Sequence, residues 1–438
     1  MTKNAIKGNT ESIVNDRFSV YSNEAAAVHV LPNGLTVTLE QLPYLRSFSV
    51  GIWIRAGSGN ESEPQNGISH FLEHLLFKGT LSRTARDLMD AIESKGGQLN
   101  AFTSRDYTCV YVRALDTQVE TAITILADII KHSTFNDLDK ERNVVLEEIT
   151  SGEDVPEEYV HDLFALQFWP DHPLGRPVAG TVETVSAMQL EHVRDYYSQW
   201  YRPRDMFFSI AGSFDADAVL DQVSREFGSI VDLPTPPRPG LPANAAGVAW
   251  HERDIAQNHL CFGFPSPALA DPLRYRYDML SNILGGGSTS RLFERIREDE
   301  GLAYAIYTFH STYSNAGMIG VYAAVAPENL AMTCEISTQE LRKLQDSRVE
   351  ADEMESNREQ LKGSMLMALE STFTRMSRLA RTMMHYGRLV GVDEVVQAID
   401  AVSPDDIQNV AQSIFVLDRA SLSVLGPKAG TSFDGLKL

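Results

Sequence analysis

The sequence predicts an α+β protein of two similar domains, each a mainly antiparallel sheet flanked by helices. Three observations carry that reading. A Pro-rich stretch at 231–247, VDLPTPPRPGLPANAAG, holds five prolines and cuts the 438-residue chain into nearly equal halves. Proline rings cannot continue a helix or sit in a central strand, so the stretch reads as a linker. Each half opens with apolar, β-rich runs: LTVTLEQL and SFSVGIWIRAGS before the linker, HLCFGFPSP after it. Strands and helices alternate, but hairpin-like spacing dominates, which favours α+β over a doubly wound parallel sheet.

Along the chain, residues 1–24 read as a polar leader, 25–230 as a first domain, and 248–438 as a second of similar architecture. Each domain has a Gly-rich corner, Gly96-Gly97 in the first and Gly285-Gly286-Gly287 in the second. The second corner, LGGGSTSR, lacks the Lys-Ser/Thr ending of a phosphate loop and reads as a turn. The strands YAIYTFHSTY and MIGVYAAVA follow it. Ala351 to Arg388 reads as a long helical region whose methionines, Met365, Met367, Met376, Met383 and Met384, are expected to pack a core rather than form a soft binding surface.

Composition narrows the function. Hydrophobic residues at 43% and charged residues at 22% are those of a folded soluble protein. No apolar run of about 18 residues is present, so no membrane span is expected. The N-terminus has no apolar signal region. Cys109, Cys261 and Cys334 are odd in number and far apart. They read as buried free thiols in a reducing, cytoplasmic setting. A net charge of −21 disfavours nucleic acid and suits basic peptides.

The chemistry concentrates in one stretch, His70-Phe71-Leu72-Glu73-His74. On a helix, His70 and His74 are i and i+4, so both imidazoles lie on one face and can grip one ion. Glu73 can reach a water on that ion without being a ligand, as a general base must. Phe71, Leu72, Leu75 and Leu76 are left to bury the rest of the helix. The order H-x-x-E-H is the inverse of the commoner H-E-x-x-H. A third ligand is sought in DLDKERNVVLEEIT, 137–150. Glu141 and Glu148 are seven apart and share a helix face to within about 20°, while Glu147 points about 120° away from Glu141. Glu148 is therefore the expected ligand. Glu141 is its catalytic support, orienting a histidine or the water.

These residues resemble the pitrilysin/insulinase-type zinc metallopeptidases, the inverzincins. The likeness is nearest to short-chain bacterial processing peptidases and to the catalytic subunit of the mitochondrial processing peptidase. It rests on HFLEHLLFKGT (70–80), GGQLNAFTS (96–104), ERNVVLEE (141–148), PLGRPVAGT (173–181) and SRLFERIREDEGLAY (290–304), in that order. The resemblance implies a zinc endopeptidase holding one Zn2+ per chain in its first domain. It also implies a partner chain, either a second copy or a related chain, since short members enclose peptide between two chains. Asn100, Ala101 and Phe102 would lie on a strand that pairs with extended substrate. Phe77 would line the pocket just past the cleaved bond. Glu158 and Asp162 would hold a substrate arginine. Long-chain members support the substrate carbonyl with an Arg and a Tyr; Gly320 to Pro327 here holds a tyrosine, Tyr322, but no arginine. Arg297 and Tyr304 are the nearest replacements. Two other readings use the same fold: a non-catalytic structural or assembly subunit, and a maturation protease dedicated to one peptide.

Overall fold

A computed structural model describes residues 26–428, and the leader expected at 1–24 lies outside them. The first sheet is built from β1 (Ala26–Val30), β2 (Thr36–Gln41), β3 (Ser47–Ile54), β4 (Gln98–Thr103), β5 (Thr108–Leu115) and β6 (Met206–Gly212). Their order is β1-β2-β6-β3-β5-β4, with only β2 and β6 parallel. The second sheet holds β7 (Gly247–Glu252), β8 (Asn258–Ser266), β9 (Ala303–Thr312), β10 (Gly317–Val325) and β11 (Ser421–Gly426). Its order is β7-β11-β8-β10-β9, again with one parallel pair, β7 and β11. Without β1 the first order becomes the second, strand for strand. The expected α+β class with two similar domains is what the chain adopts.

Helices of the first half are α1 (Ile68–Leu76), α2 (Ala85–Glu93), α3 (Val119–His132), α4 (Leu138–Glu153), α5 (Pro156–Phe168), α6 (Val182–Ala187), α7 (Leu190–Trp200) and α8 (Ala216–Phe227). Those of the second are α9 (Arg274–Gly285), α10 (Leu330–Asp346), α11 (Ala351–Ala368), α12 (Thr372–Tyr386), α13 (Val392–Asp400) and α14 (Pro404–Ile414). None of the described helices is long and apolar enough to cross a membrane. The three cysteines are free and buried.

Strand β3 explains the layering. Its side chains alternate in direction. Phe48, Val50, Ile52 and Ile54 enter a core shared with α1 and α3. Trp53 points the other way, into a separate cluster with Met376, Ala380 and Met384 of α12. Both faces are thus covered, which is why Phe48 to Ile54 is buried throughout and carries no charged residue. The second sheet is covered in the same manner: Val160, Phe164, Ala165 and Phe168 of α5 pack on Cys261, Tyr322 and Leu425. Each half therefore gives one helix to the outer face of the other half's sheet.

Two glycines make room for this exchange. A Cβ on Gly51 of β3 would lie 3.2 Å from Met376 Sδ, and one on Gly263 of β8 would lie 2.8 Å from Phe164 Cζ. Polar contacts then fix α12 in place. Ser209 Oγ donates to the Met376 carbonyl at 2.7 Å, and the buried Arg375 donates to Glu40 at 2.5 Å. The single helical region expected over Ala351 to Arg388 is instead two helices. Ser371 caps the second by accepting from the Thr374 N–H, and the break lets α12 leave its own half.

Truncating Met376, 0% exposed, tests the exchange. Met376→Ala should lower unfolding free energy by about 2–5 kcal/mol, read by urea denaturation with Trp53 fluorescence. A midpoint unchanged from the wild type would mean that α12 does not cover the first sheet in solution.

Candidate metal centre

Helix α1 begins where the chain leaves Gly67 at a φ of 91°, a backbone region that favours glycine. A Cβ there would also meet the Ala179 carbonyl at 2.6 Å. The first-turn amides need acceptors, and the buried Glu61 carboxylate supplies them. It accepts from the Gly67 N–H at 2.7 Å, the Ser69 N–H at 2.8 Å and Asn66 Nδ2 at 3.1 Å. Ser69 Oγ shares a 2.7 Å hydrogen bond with the Tyr196 hydroxyl. Ile68, Phe71, Leu72, Leu75 and Leu76 are 0% exposed. With that face buried, His70, Glu73 and His74 turn toward α4 and β4.

The two imidazoles stand with ring centroids 4.7 Å apart. Across from them, Glu148 on α4 brings Oε1 to 3.6 Å from His70 Nε2 and Oε2 to 3.4 Å from His74 Nε2. Both separations are long for hydrogen bonds. They match the ~3.4 Å between two ligands each about 2.0–2.1 Å from a tetrahedral zinc. His70, His74 and Glu148 are the one group of three or more such side chains, among the described residues, able to offer ligand atoms all within 4.8 Å of one another. Burial and the neighbouring His74 push His70 down to about 4, so its ring is neutral at neutral pH and has a lone pair to give. The donor set therefore fits a divalent ion.

Three supporting contacts surround this cluster. Glu141, 2% exposed, lies 3.5 Å from His74 Nδ1 and 2.9 Å from Lys78 Nζ. Glu148 is half exposed, and Glu147 is exposed on a different face of α4. Glu73 accepts a 2.5 Å hydrogen bond from Thr103 Oγ1. Burial pushes Glu73 up to about 7, against the pull of that bond. Lys78 and Thr103 are neighbours of the cluster that the sequence analysis did not single out. Each lies inside a quoted motif, but only the packing of α1 on β4 and α4 shows which carboxylate it meets.

The remaining sequence-derived residues fall in three places. Asn100, Ala101 and Phe102 lie on β4, the open edge of the first sheet. Ala101 faces the α1 side and Phe102 faces α12, 6.4 Å from the Phe373 ring. Phe77 closes the end of α1, half-buried. Glu158 and Asp162, on α5, line a cleft of about 720 Å³ that begins at Glu148. Asp162 already meets a guanidinium of the chain itself, Arg105 Nη2 at 3.4 Å. Arg297 and Tyr304 are not brought to the cluster. Arg297 lies on the helical turn Phe293–Asp299 and Tyr304 on the edge strand β9, stacked on each other with 5.5 Å from guanidinium to ring centroid, and Tyr304 is 78% exposed. His161 and His310 are held by Tyr307 and by Asp278, as structural histidines are.

Two like sheets, one of them carrying an H-x-x-E-H helix opposite an acidic helix, define a class of chain in which one half alone brings these donors together. The chain belongs to the insulinase family, peptidase family M16. That family's model matches residues 36–182, and the model described as the peptidase M16 inactive domain matches 187–361. The uncharacterized zinc protease YmxG of Bacillus subtilis is similar at 37% identity over 90% of this chain and 97% of its own. An uncharacterized zinc protease of Streptomyces coelicolor is 40% identical over 91% of this chain and 88% of its own. A solved protease from Helicobacter pylori shares the fold, with a TM-score of 0.86 at 22% identity over 92% of this chain and 99% of that one.

Glu61 is the part of the site that stability measurements reach. Glu61→Ala leaves two buried amides of α1 without an acceptor and should cost on the order of 3 kcal/mol. Glu61→Gln, which keeps an acceptor, should cost clearly less. Equal losses in urea denaturation would mean that the carboxylate does not hold the helix start.

Proposed function

We propose that the chain is a zinc-dependent endopeptidase acting on extended peptides, with one Zn2+ per chain held by His70, His74 and Glu148. The observation that carries the reading is the convergence of those three donors beside a carboxylate, Glu73, that is not one of them. Zinc, when bound, supplies Lewis acidity: it acidifies water and polarises a carbonyl. The chain's own residues do the rest. Glu73, near neutrality in its buried setting, takes a proton from water and returns it to the leaving amine. Thr103 holds Glu73 in position. Glu141 fixes the ring of His74 through Nδ1, and Lys78 balances its charge.

Substrate selection follows from where Glu73 is anchored. Thr103 is on β4, whose free edge can pair with an extended backbone whatever its side chains. Phe77 borders the scissile position, and the cleft from Glu148 to Glu158 takes the N-terminal side of the peptide. A basic residue there, Arg above all, meets Glu158 and shares Asp162 with Arg105. Arg297 and Tyr304 reach the substrate carbonyl only if the halves or a partner bring them close. We further assign the metal to a first domain spanning 25–230, joined by the 231–247 linker to 248–438. The working form is a dimer, most simply of two copies, in a reducing cytoplasm.

Two measurements test this reading. Glu73→Gln should retain stoichiometric zinc while peptide hydrolysis falls by about 10²–10⁴-fold, whereas His74→Ala should lose metal and activity together. Metal loss in the first variant, or retention in the second, would reverse the roles. For specificity, Glu158→Gln combined with Asp162→Asn should abolish any preference for Arg over Ala before the cut while sparing the rate on the Ala peptide. An unchanged ratio would remove this cleft from the substrate site.

A further inference from the structure

Helix α12 has two working faces. Phe373, Met376 and Ala380 lie on the first sheet. The opposite flank borders a cavity of about 270 Å³ that α9, α11 and α13 complete. Its wall carries Arg274, Arg378 and Arg381 and no Asp or Glu. In a chain of net charge −21, a carboxylate-free pocket with three guanidinium groups is a concentrated reversal of sign.

These cations are unequally satisfied. Arg274 donates to the Tyr386 hydroxyl at 2.9 Å and stands 3.7 Å from Asp278. Arg378 donates to the Val390 carbonyl, and its nearest carboxylate, Glu40 at 3.9 Å, is already bonded to Arg375. Arg381 makes no ion pair among the described residues, though its charge is felt by the Asp106 carboxylate. Ser377 Oγ and Arg378 Nε are buried with no hydrogen-bond partner. Unpaired buried donors are costly and call for an acceptor.

Met365, Leu369, Val390 and Val395 make an apolar part of the wall, beside the hydroxyls of Thr374 and Thr382. The volume sits just below that of drug-sized pockets. We propose that this cavity binds a small organic carboxylate bearing a medium-length apolar tail. Arg378, Arg381 and Ser377 hold the carboxylate, in the forked geometry that guanidinium groups favour. Leu369 and Val395 hold the tail. The site lies on the far flank of α12 from the first sheet, so it stands independently of the metal centre.

The test is calorimetric titration of the full chain with octanoate, octanamide and inorganic phosphate. Octanoate should bind saturably, one per chain. Octanamide, which has the tail without the charge, and phosphate, which has the charge without the tail, should each bind at least tenfold more weakly. Arg381→Gln, a change at an exposed position, should weaken octanoate about tenfold, and Ser377→Ala should weaken it less. Circular dichroism of each variant establishes that it is folded. Absence of saturable octanoate binding overturns the proposal. So does equal affinity for octanamide, equal affinity for phosphate, or undiminished affinity in folded Arg381→Gln.

Discussion

Helix α1 can bury Ile68, Phe71, Leu72, Leu75 and Leu76 in only one orientation, and the rest of the site depends on that constraint. The apolar face is set by a 3.6-residue period, and the polar stripe His70, Glu73, His74 is what the period leaves over. The edge strand β4 lies on one side of α1 and the acidic helix α4 on the other. Glu73 reaches β4 through Thr103, and the histidines reach α4 through Glu148. A rotation of α1 by one residue, about 100°, would bury a histidine and break both connections at once.

The reciprocal exchange of helices ties this local geometry to the whole chain. Helix α12, from the second half, backs the sheet whose edge strand carries Thr103. Helix α5, from the first, backs the second sheet and places Glu158 and Asp162 beside the cleft that starts at Glu148. Two repeats of one strand order are thereby locked into a unit, and neither half can shed the other without exposing an apolar sheet face. Only the first repeat has the H-x-x-E-H stretch. The equivalent helix α9, RYRYDMLSNILG, has no such pattern, so the second half supports the site without duplicating it.

Features set by local period were legible in the sequence. The histidine helix, the Glu141/Glu148 face and the two strand-rich halves all follow from spacing and punctuation. Features set by which distant segment meets which were not. Met376 and Met384 are core residues as expected, whereas Met367, expected there too, is 68% exposed; nothing local says that the core of the first two belongs to the other half's sheet. Ser371 is an ordinary helix cap, and only its consequence, the redirection of α12, is large. Thr103, Lys78 and Glu61 each meet a carboxylate or an amide that tertiary packing brings near. Asp162 showed an open carboxylate in sequence, yet the fold sets Arg105 against it.

The proposed ligand set makes one demand that can be read without turnover, substrate or partner. Zinc K-edge X-ray absorption on the zinc-loaded chain should show a shell of nitrogen and oxygen only, near 2.0–2.1 Å. The outer-shell scattering should be that of two imidazoles, His70 and His74, and should fall to one in His74→Ala wherever residual zinc remains. A sulfur shell, or a spectrum with no imidazole scattering, would contradict the account at its centre.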